Sequence, residues 1–301
     1  MSSQRLNELR MVDPVLSTIA QNYTSEMFLS EKIFPIISVN KMKGKYPVFG
    51  KDAFVLHNTA RAIRADSNRV NSTGYTLETY ETQEHDIEMA LDYLESGEAA
   101  DIARYEQKIT KDLRDALALN REREIAECLQ NTANYEQNQL TATTSEDLTI
   151  DVIKTGIEAM RSNIGRRPNT MILSNSLLEI LLSAENAVPS VENQGMILPI
   201  IDTLKARLRL ENIVVPDAVY SPDGSGLSDL WGDNILLLYV DNEKYSNEYN
   251  PSFGYIFQMS GMPEIDTYYE NGGKVKVIRC TDNFCWKITA PSAAYLITTQ
   301  E

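Results

Sequence analysis

Residues 95–129, ESGEAADIARYEQKITKDLRDALALNREREIAECL, carry the clearest helical period in the chain. Ile102, Ile109, Leu113, Leu117, Ile125 and Leu129 fall near one stripe, with charges elsewhere. The pattern predicts one long amphipathic helix with a break near Ser96 and Gly97. At 1.5 Å per residue it would run roughly 45 to 50 Å, longer than a compact domain of this size needs internally, so it reads as a spine. A coiled coil fits less well, because the apolar positions do not keep a strict heptad.

Upstream, from Asp13 to Phe49, no period is sustained, yet Leu16, Ile19, Phe28, Leu29, Ile33, Phe34, Ile36, Ile37 and Val39 are scattered among polar residues and punctuated by Pro14, Pro35 and Pro47. Such a stretch is too apolar for a solvated tail and too irregular to make its own core. The expectation is an arm lying across another surface, such as another subunit's. From about Lys41 to Met89 the chain is strand-like and polar, with alternation in Tyr75, Leu77 and Thr79 and again in Asp86 to Met89. Few large aliphatics lie between Asn58 and Tyr75, so a projecting two-stranded hairpin is expected, marginal by itself.

Charge divides this region. Lys41, Lys43, Lys45, Lys51, Arg61, Arg64 and Arg69 are opposed only by Asp52 and Asp66, whereas Glu78, Glu81, Glu84, Asp86, Glu88, Asp92, Glu95, Glu98 and Asp101 follow with no basic residue before Arg104. Two solvated faces would account for this, since exposed ion pairs contribute only about 0–1 kcal/mol each. A sharper reading lays the basic arm of one subunit on the acidic run of its neighbour. The candidate inter-subunit contacts are therefore Phe28, Phe34, the seven basic residues above, and Glu81, Glu84, Glu88, Glu95 and Glu98.

Downstream, Asn131 to Thr144 reads as a linker, and Thr144 with Asp147 resembles a capping box for a helix carrying Ile153, Ile157, Met160 and Ile164, which Gly165 ends. A buried strand over Thr170 to Leu173, a helix over Leu177 to Leu182 capped by Ser174 or Asn175, a helix after Pro199, and strands at Ile213 to Val215 and Ile235 to Val240 make an α/β lobe. In the last stretch, Val275 to Cys280 and Trp286 to Thr289 are read as strands flanking a turn at Asp282 and Asn283, followed by a final strand, Ala293 to Thr298.

The 301 residues are 43% hydrophobic, enough for a sizeable core, and 28 Lys plus Arg against 43 Asp plus Glu give a net charge of -15. That balance lacks the footprint of a sequence-specific nucleic-acid binder. No run of about 18 apolar residues exists, and Arg5, Glu8 and Arg10 interrupt the place where a signal peptide would be apolar, so no membrane is expected and assembly in the cytoplasm is. Cys128, Cys280 and Cys285 read as reduced packing residues without metal spacing. No phosphate loop, dinucleotide fingerprint or paired-histidine motif is present, and Gly224, Ser225, Gly226 reads as a plain turn. His57 and His85, the two histidines, lie in the polar hairpin, where a catalytic triad would not be shielded from water. Arg166, Arg167, Arg207 and Arg209 read as helix-end or solvated charges. No catalytic, cofactor-binding or metal residue is assigned.

This order of elements resembles the HK97-like major capsid proteins of tailed bacteriophages. The closest local similarity runs from Asp13, Pro14, Val15, Leu16 through Glu31, Lys32, Ile33, Phe34, Pro35 to Gly44, Lys45, Tyr46, Pro47, Val48, Phe49, Gly50, with Trp231, Gly232, Asp233 and the Trp286 to Thr299 tail also similar. The resemblance implies an α+β capsid fold: an N-terminal arm (1–40), an extended β-hairpin or E-loop (41–90), a P-domain with its spine helix (91–145), an α/β A-domain (146–265) and closing P-domain strands (266–301). It implies hexamers and pentamers forming an icosahedral virion head around double-stranded DNA. The implied partners are other copies, a separate scaffolding protein because the capsid-like region starts almost at Met1, a portal and a decoration protein, with packaged DNA touched weakly by an acidic wall. The residues of an autocatalytic Lys–Asn crosslink cannot be matched, so none is expected. The alternatives are an encapsulin-type compartment shell and a carboxylate-dependent α/β enzyme.

Overall fold

The protein is seen in a computed structural model that describes residues 10–49, 59–61, 63, 64, 66–69, 75–98, 101–135, 138–142, 148–183, 200–242 and 249–299. An arm helix, Pro14–Asn22, a helical turn, Ser30–Ile33, and strand β1 (Ile36–Val39) come first. β2 (Lys43–Phe49) and β3 (Tyr75–Glu81) pair as an antiparallel hairpin, and only Thr82 separates β3 from β4 (Gln83–Asp92). A short helix, Tyr93–Glu98, and the spine helix, Ile102–Gln130, follow. The next stretch holds β5 (Gln139–Ala142), a helix at Ile150–Ile164, β6 (Thr170–Leu173), helices at Asn175–Ser183 and Ile200–Leu208, β7 (Asn212–Val214), a ribbon of β8 (Val219–Tyr220) and β9 (Ser228–Asp229), and β10 (Asn234–Leu238). β11 (Gly254–Met259), β12 (Glu264–Glu270), β13 (Val275–Ile288) and β14 (Ala294–Thr299) complete the chain.

Two five-stranded sheets result, and the class is α+β as the sequence implied. The first is built on β13. Its one edge pairs with β4 over Val275 to Phe284, and its other edge pairs with β12 over Val275 to Thr281 and then with β11 over Phe284 to Ile288. β1 adds in parallel outside β11, and residues 11–13 bond to the outer edge of β12. The second sheet has the order β5-β14-β10-β6-β7. β10 is buried along most of its length because both faces of its sheet are covered. Ile235 and Leu237 meet the helices that carry Ile153, Leu181 and Leu204, while Leu236 and Leu238 meet Ile125 and Leu129 of the spine.

The spine helix joins the sheets. At 29 residues it is about 43 Å long. Ile109, Leu113 and Leu117 pack on Ile265, Ile278 and Cys280 of the first sheet, and Ile125 and Leu129 pack against the second. The Asp101 side chain caps its start through the Arg104 N–H. The helical period therefore holds, but as two helices, and Ile102 is exposed where the stripe placed it inside.

Several other expectations change. Asp282 and Asn283 do not turn: β13 runs through them, because Asp282 is fully buried and accepts from Gln258 Nε2 at 2.7 Å, a bond made across the sheet. Residues 83–90, read as part of the hairpin, belong instead to a strand that forms a ladder with β13. Ala294–Thr299, read as closing the P-domain, sits between β10 and β5 in the second sheet. The helix at Ile150 opens after Thr149 without a side-chain cap; the proposed capping residues Thr144 and Asp147 lie outside the described residues. Ser174 is the cap for the next helix, its Oγ accepting from Leu177 N–H, and Gly165 ends the preceding one at φ 67°.

Candidate assembly site

Among the described residues, the hairpin is anchored at its base. Tyr46 of β2 and Tyr80 of β3 lie on Phe257, with ring centroids 5.5 and 4.6 Å away, the second pair stacked within 5° of parallel. Such a pair adds about 0.5–1.5 kcal/mol beyond burial. Gly44 faces Tyr80 in the register, and a Cβ there would stand 2.5 Å from the ring hydroxyl, so glycine is what lets the ring lie down. Tyr46 Oη donates to Glu78 at 3.0 Å, and burial together with that carboxylate pushes its phenol pKa up. Farther out, Leu77 is 53% exposed and Ile63, in the loop, 94%.

The candidate charges fall into three groups. Lys41, Lys43 and Lys45 are exposed at the foot of the hairpin, where Lys43 pairs with Glu81 across the strands at 2.9 Å, an exposed contact of about 0–1 kcal/mol. Arg61, Arg64 and Arg69 are exposed in the outer loop, Arg64 at φ 67°. Glu84, Asp86 and Glu88 alternate along β4 and so share the face turned away from the spine, since Ile87 packs towards it. On that face Tyr268 Oη donates to Glu88 at 3.0 Å, and Arg279 stands opposite Glu88. Glu95 accepts from the Asp92 N–H, while Lys51 and the Glu98 side chain lie outside the described residues.

The arm behaves differently from expectation. Phe34, proposed as a contact to a neighbour, is fully buried between Phe253 and Trp286 of its own subunit. A Cβ on Gly254 would collide with its ring, so the strand backbone itself forms part of its socket. Phe28 is half-buried against the same core. Leu16 and Ala20 of the arm helix reach the first sheet and the spine, and Ile37 reaches the hairpin base. The arm is irregular because its apolar residues serve different parts of one subunit.

A buried charge network fixes the arm to the spine, and sequence reasoning missed it. Glu122 is fully buried and accepts from the Leu29 and Ser30 N–H groups, at 3.0 and 2.6 Å, and from Trp231 Nε1 at 2.9 Å. One carboxylate thus ties arm, spine and lobe. Glu31 accepts from Arg114 at 3.0 Å and from Arg121, Arg114 also stands 3.7 Å from Asp282, and the Arg121 guanidinium lies over Phe284. The available signal was the row 109, 113, 117, 121, 125, 129, apolar at every step but Arg121.

A second clamp holds the start of the arm. Asp266 accepts from Arg10 at 2.8 Å and from Arg279 at 2.7 Å. Burial alone would raise its pKa, but the hydrogen bonds and charges of Arg279 and Arg10 prevail and hold it below the ordinary carboxylate value.

Burial pushes the Cys280 thiol up to about 12, and Cys128 and Cys285 upward too, away from reactive thiolates. His85 stacks on Phe284, while His57 lies outside the described residues. The loop at Gly224 closes on itself through Ser221 Oγ and Asp223, as a turn does. Arg166 lies over the Tyr239 ring and Arg167 pairs with Glu158. Among the described residues no cluster of three or more His, Cys, Asp or Glu could hold a metal, and no helix is long and apolar enough to cross a membrane.

No protein-family model matches the sequence. The chain is 37% identical over 306 residues to the major capsid protein of Burkholderia phage BcepMu, covering 98% of both chains. A phage-related protein from Bordetella bronchiseptica RB50 superposes with a TM-score of 0.76 at 29% identity, over 96% of this chain and 97% of that one. The capsid of cyanophage P-SCSP1u gives a TM-score of 0.57 at 10% identity, over 93% and 90% of the two chains, a likeness of fold.

Proposed function

The chain belongs to the major capsid proteins of tailed bacteriophages, and from that membership we propose that it tiles an icosahedral head as hexamers and pentamers around double-stranded DNA. The observation that carries the reading is identity to a phage capsid subunit along 98% of both chains, which favours a viral head over a compartment shell. The hairpin supports it from the physical side: two strands anchored by Tyr46 and Tyr80, with Ile63 and Leu77 left in water, are built to lie on something else.

That something is a second copy. Arg61, Arg64 and Arg69 in the loop, with Lys41 and Lys45 at its foot, complement the exposed carboxylates of Glu84 and Glu88 on the outer face of β4 and of Glu95 beyond it. Lys43 and Glu81 contribute less, being paired with each other. The buried side chains of the arm add to assembly by fixing the spine. A scaffolding protein, a portal and a decoration protein remain the partners that the capsid role calls for, and the protein carries out no catalysis.

Negative-stain microscopy of the expressed chain, alone and with a scaffold, tests the reading. Particles of megadalton mass are expected from a chain of 33.9 kDa, and a small fixed oligomer under every condition would overturn it.

A further inference from the structure

We propose that the cavity between the arm and the middle of the spine helix is a binding site for ordered water, which completes the buried charge network. The cavity has about 30 Å³ of room for water-sized spheres and is lined by Tyr23, Phe28, Arg114, Asp115, Ala118 and Arg121, among others. One water needs roughly 10–15 Å³ by this measure. Ala118 supplies the room: it stands midway between Arg114 and Glu122 on one row of the helix, where a larger side chain would fill the gap.

Five buried polar atoms of the residues lining this cavity make no hydrogen bond within the protein: Nε and Nη1 of Arg114, the latter 3.7 Å from Asp282, Nε and Nη1 of Arg121, and Oδ1 of Asp115. The two arginine side chains are 7% and 1% exposed. Their other nitrogens are used on Glu31, and the other Asp115 oxygen accepts from Tyr23 Oη at 2.9 Å. Left dry, such atoms keep their desolvation penalty with no hydrogen bond to offset it, which argues against an empty cavity.

The chemistry of the set selects the occupant. Guanidinium nitrogens only donate and a carboxylate oxygen only accepts, so a bridging species must both accept and donate. Water does both. A halide accepts from the guanidinium groups but has nothing to give Asp115. Charge points the same way: the lining cations Arg114, Arg121 and Lys32 are matched by the lining carboxylates Glu31 and Asp115 together with Asp282, which stands 3.7 Å from Arg114, so an added ion would unbalance the set. The arm therefore sits on the spine through a wet contact, in contrast to the dry socket of Phe34.

Crystals of the full chain grown with sodium bromide give the test. A water-like peak within hydrogen-bond distance of Arg114 or Arg121 and of Asp115, without bromine anomalous signal, is expected. A bromine peak there, or no density, would overturn the proposal. Thermal melting of Ala118→Val and Ala118→Ser adds an independent sign. Valine fills a dry cavity favourably but displaces a water without replacing its bonds, so its midpoint should fall by ~2–4 °C. Serine restores one hydroxyl and should hold or raise the midpoint; valine melting above the parent would refute a hydrated site.

Discussion

The arm and the hairpin are consecutive in the chain and equally unlike an ordinary core element, but they dispose of their side chains in opposite ways. The arm sends Leu16 and Ala20 to the first sheet, Leu29, Ile33 and Phe34 to the central core, and Ile37 to the hairpin base, while Met11, Val15 and Met27 stay exposed. The hairpin commits Tyr46 and Tyr80 and leaves Leu77, Ile63 and its loop arginines in water. An irregular apolar segment is thus one with several partners within the subunit. A regular strand pair with little to bury is the one proposed to lie on another copy.

The strongest way to break this contrast is to empty the Phe34 socket. Phe34→Ala should destabilise the unassembled subunit by about 3–5 kcal/mol in chemical denaturation, the cost of a large aromatic lost from a rigid core; a change below about 1 kcal/mol would mean that the arm is not part of the subunit's core.

The Asp266 clamp should show a smaller, pH-dependent effect. Its carboxyl is held below its unfolded value, so the stability it adds is present above the unfolded pKa of about 3.9 and is lost as pH falls through the lower folded value. Asp266→Asn should therefore lie below the parent by about 1–3 kcal/mol at neutral pH and converge with it near the acid limit. Parallel stability curves down to that limit would show that the clamp does not titrate as described.

Least affected should be the subunit carrying Arg61→Glu and Arg64→Glu. Both residues are exposed, and a change within about 0.5 kcal/mol in subunit stability is expected. Its effect belongs to assembly, which should fail at low salt where the parent assembles. Normal particles from this variant at low salt would dissociate the hairpin from the neighbour's acidic face.

Periodicity made the spine legible, and the short strands of the lobe were legible because Met171 to Leu173 and Ile235 to Leu238 are continuous apolar runs. It concealed the network at Arg114, Arg121 and Glu122, since charges on a helix are ordinarily read as its wet face. Only the gap at Arg121 in an otherwise apolar row betrayed it. Asp282 and Asn283 misled for the same reason. Turn formers by composition, they are buried within a strand because Gln258 lies across the sheet and Arg114 comes near from the spine. The acidic residues of β4 were recognisable as a run, but their shared face required the register with β13.

The single residue between β3 and β4 has a mechanical side. Thr82 is buried and its N–H is held by the Met42 carbonyl at 2.8 Å, so it gives the junction little slack. Tension gathered by a hairpin gripped at its far end enters β4 at Gln83 and runs along a strand whose ten residues are all paired with β13. Directed along that strand, the load shears the ladder as a whole, its bonds lying across the pull, where a load applied sideways would open them one after another. The hairpin is thereby fastened to its own subunit like a strap sewn along its length.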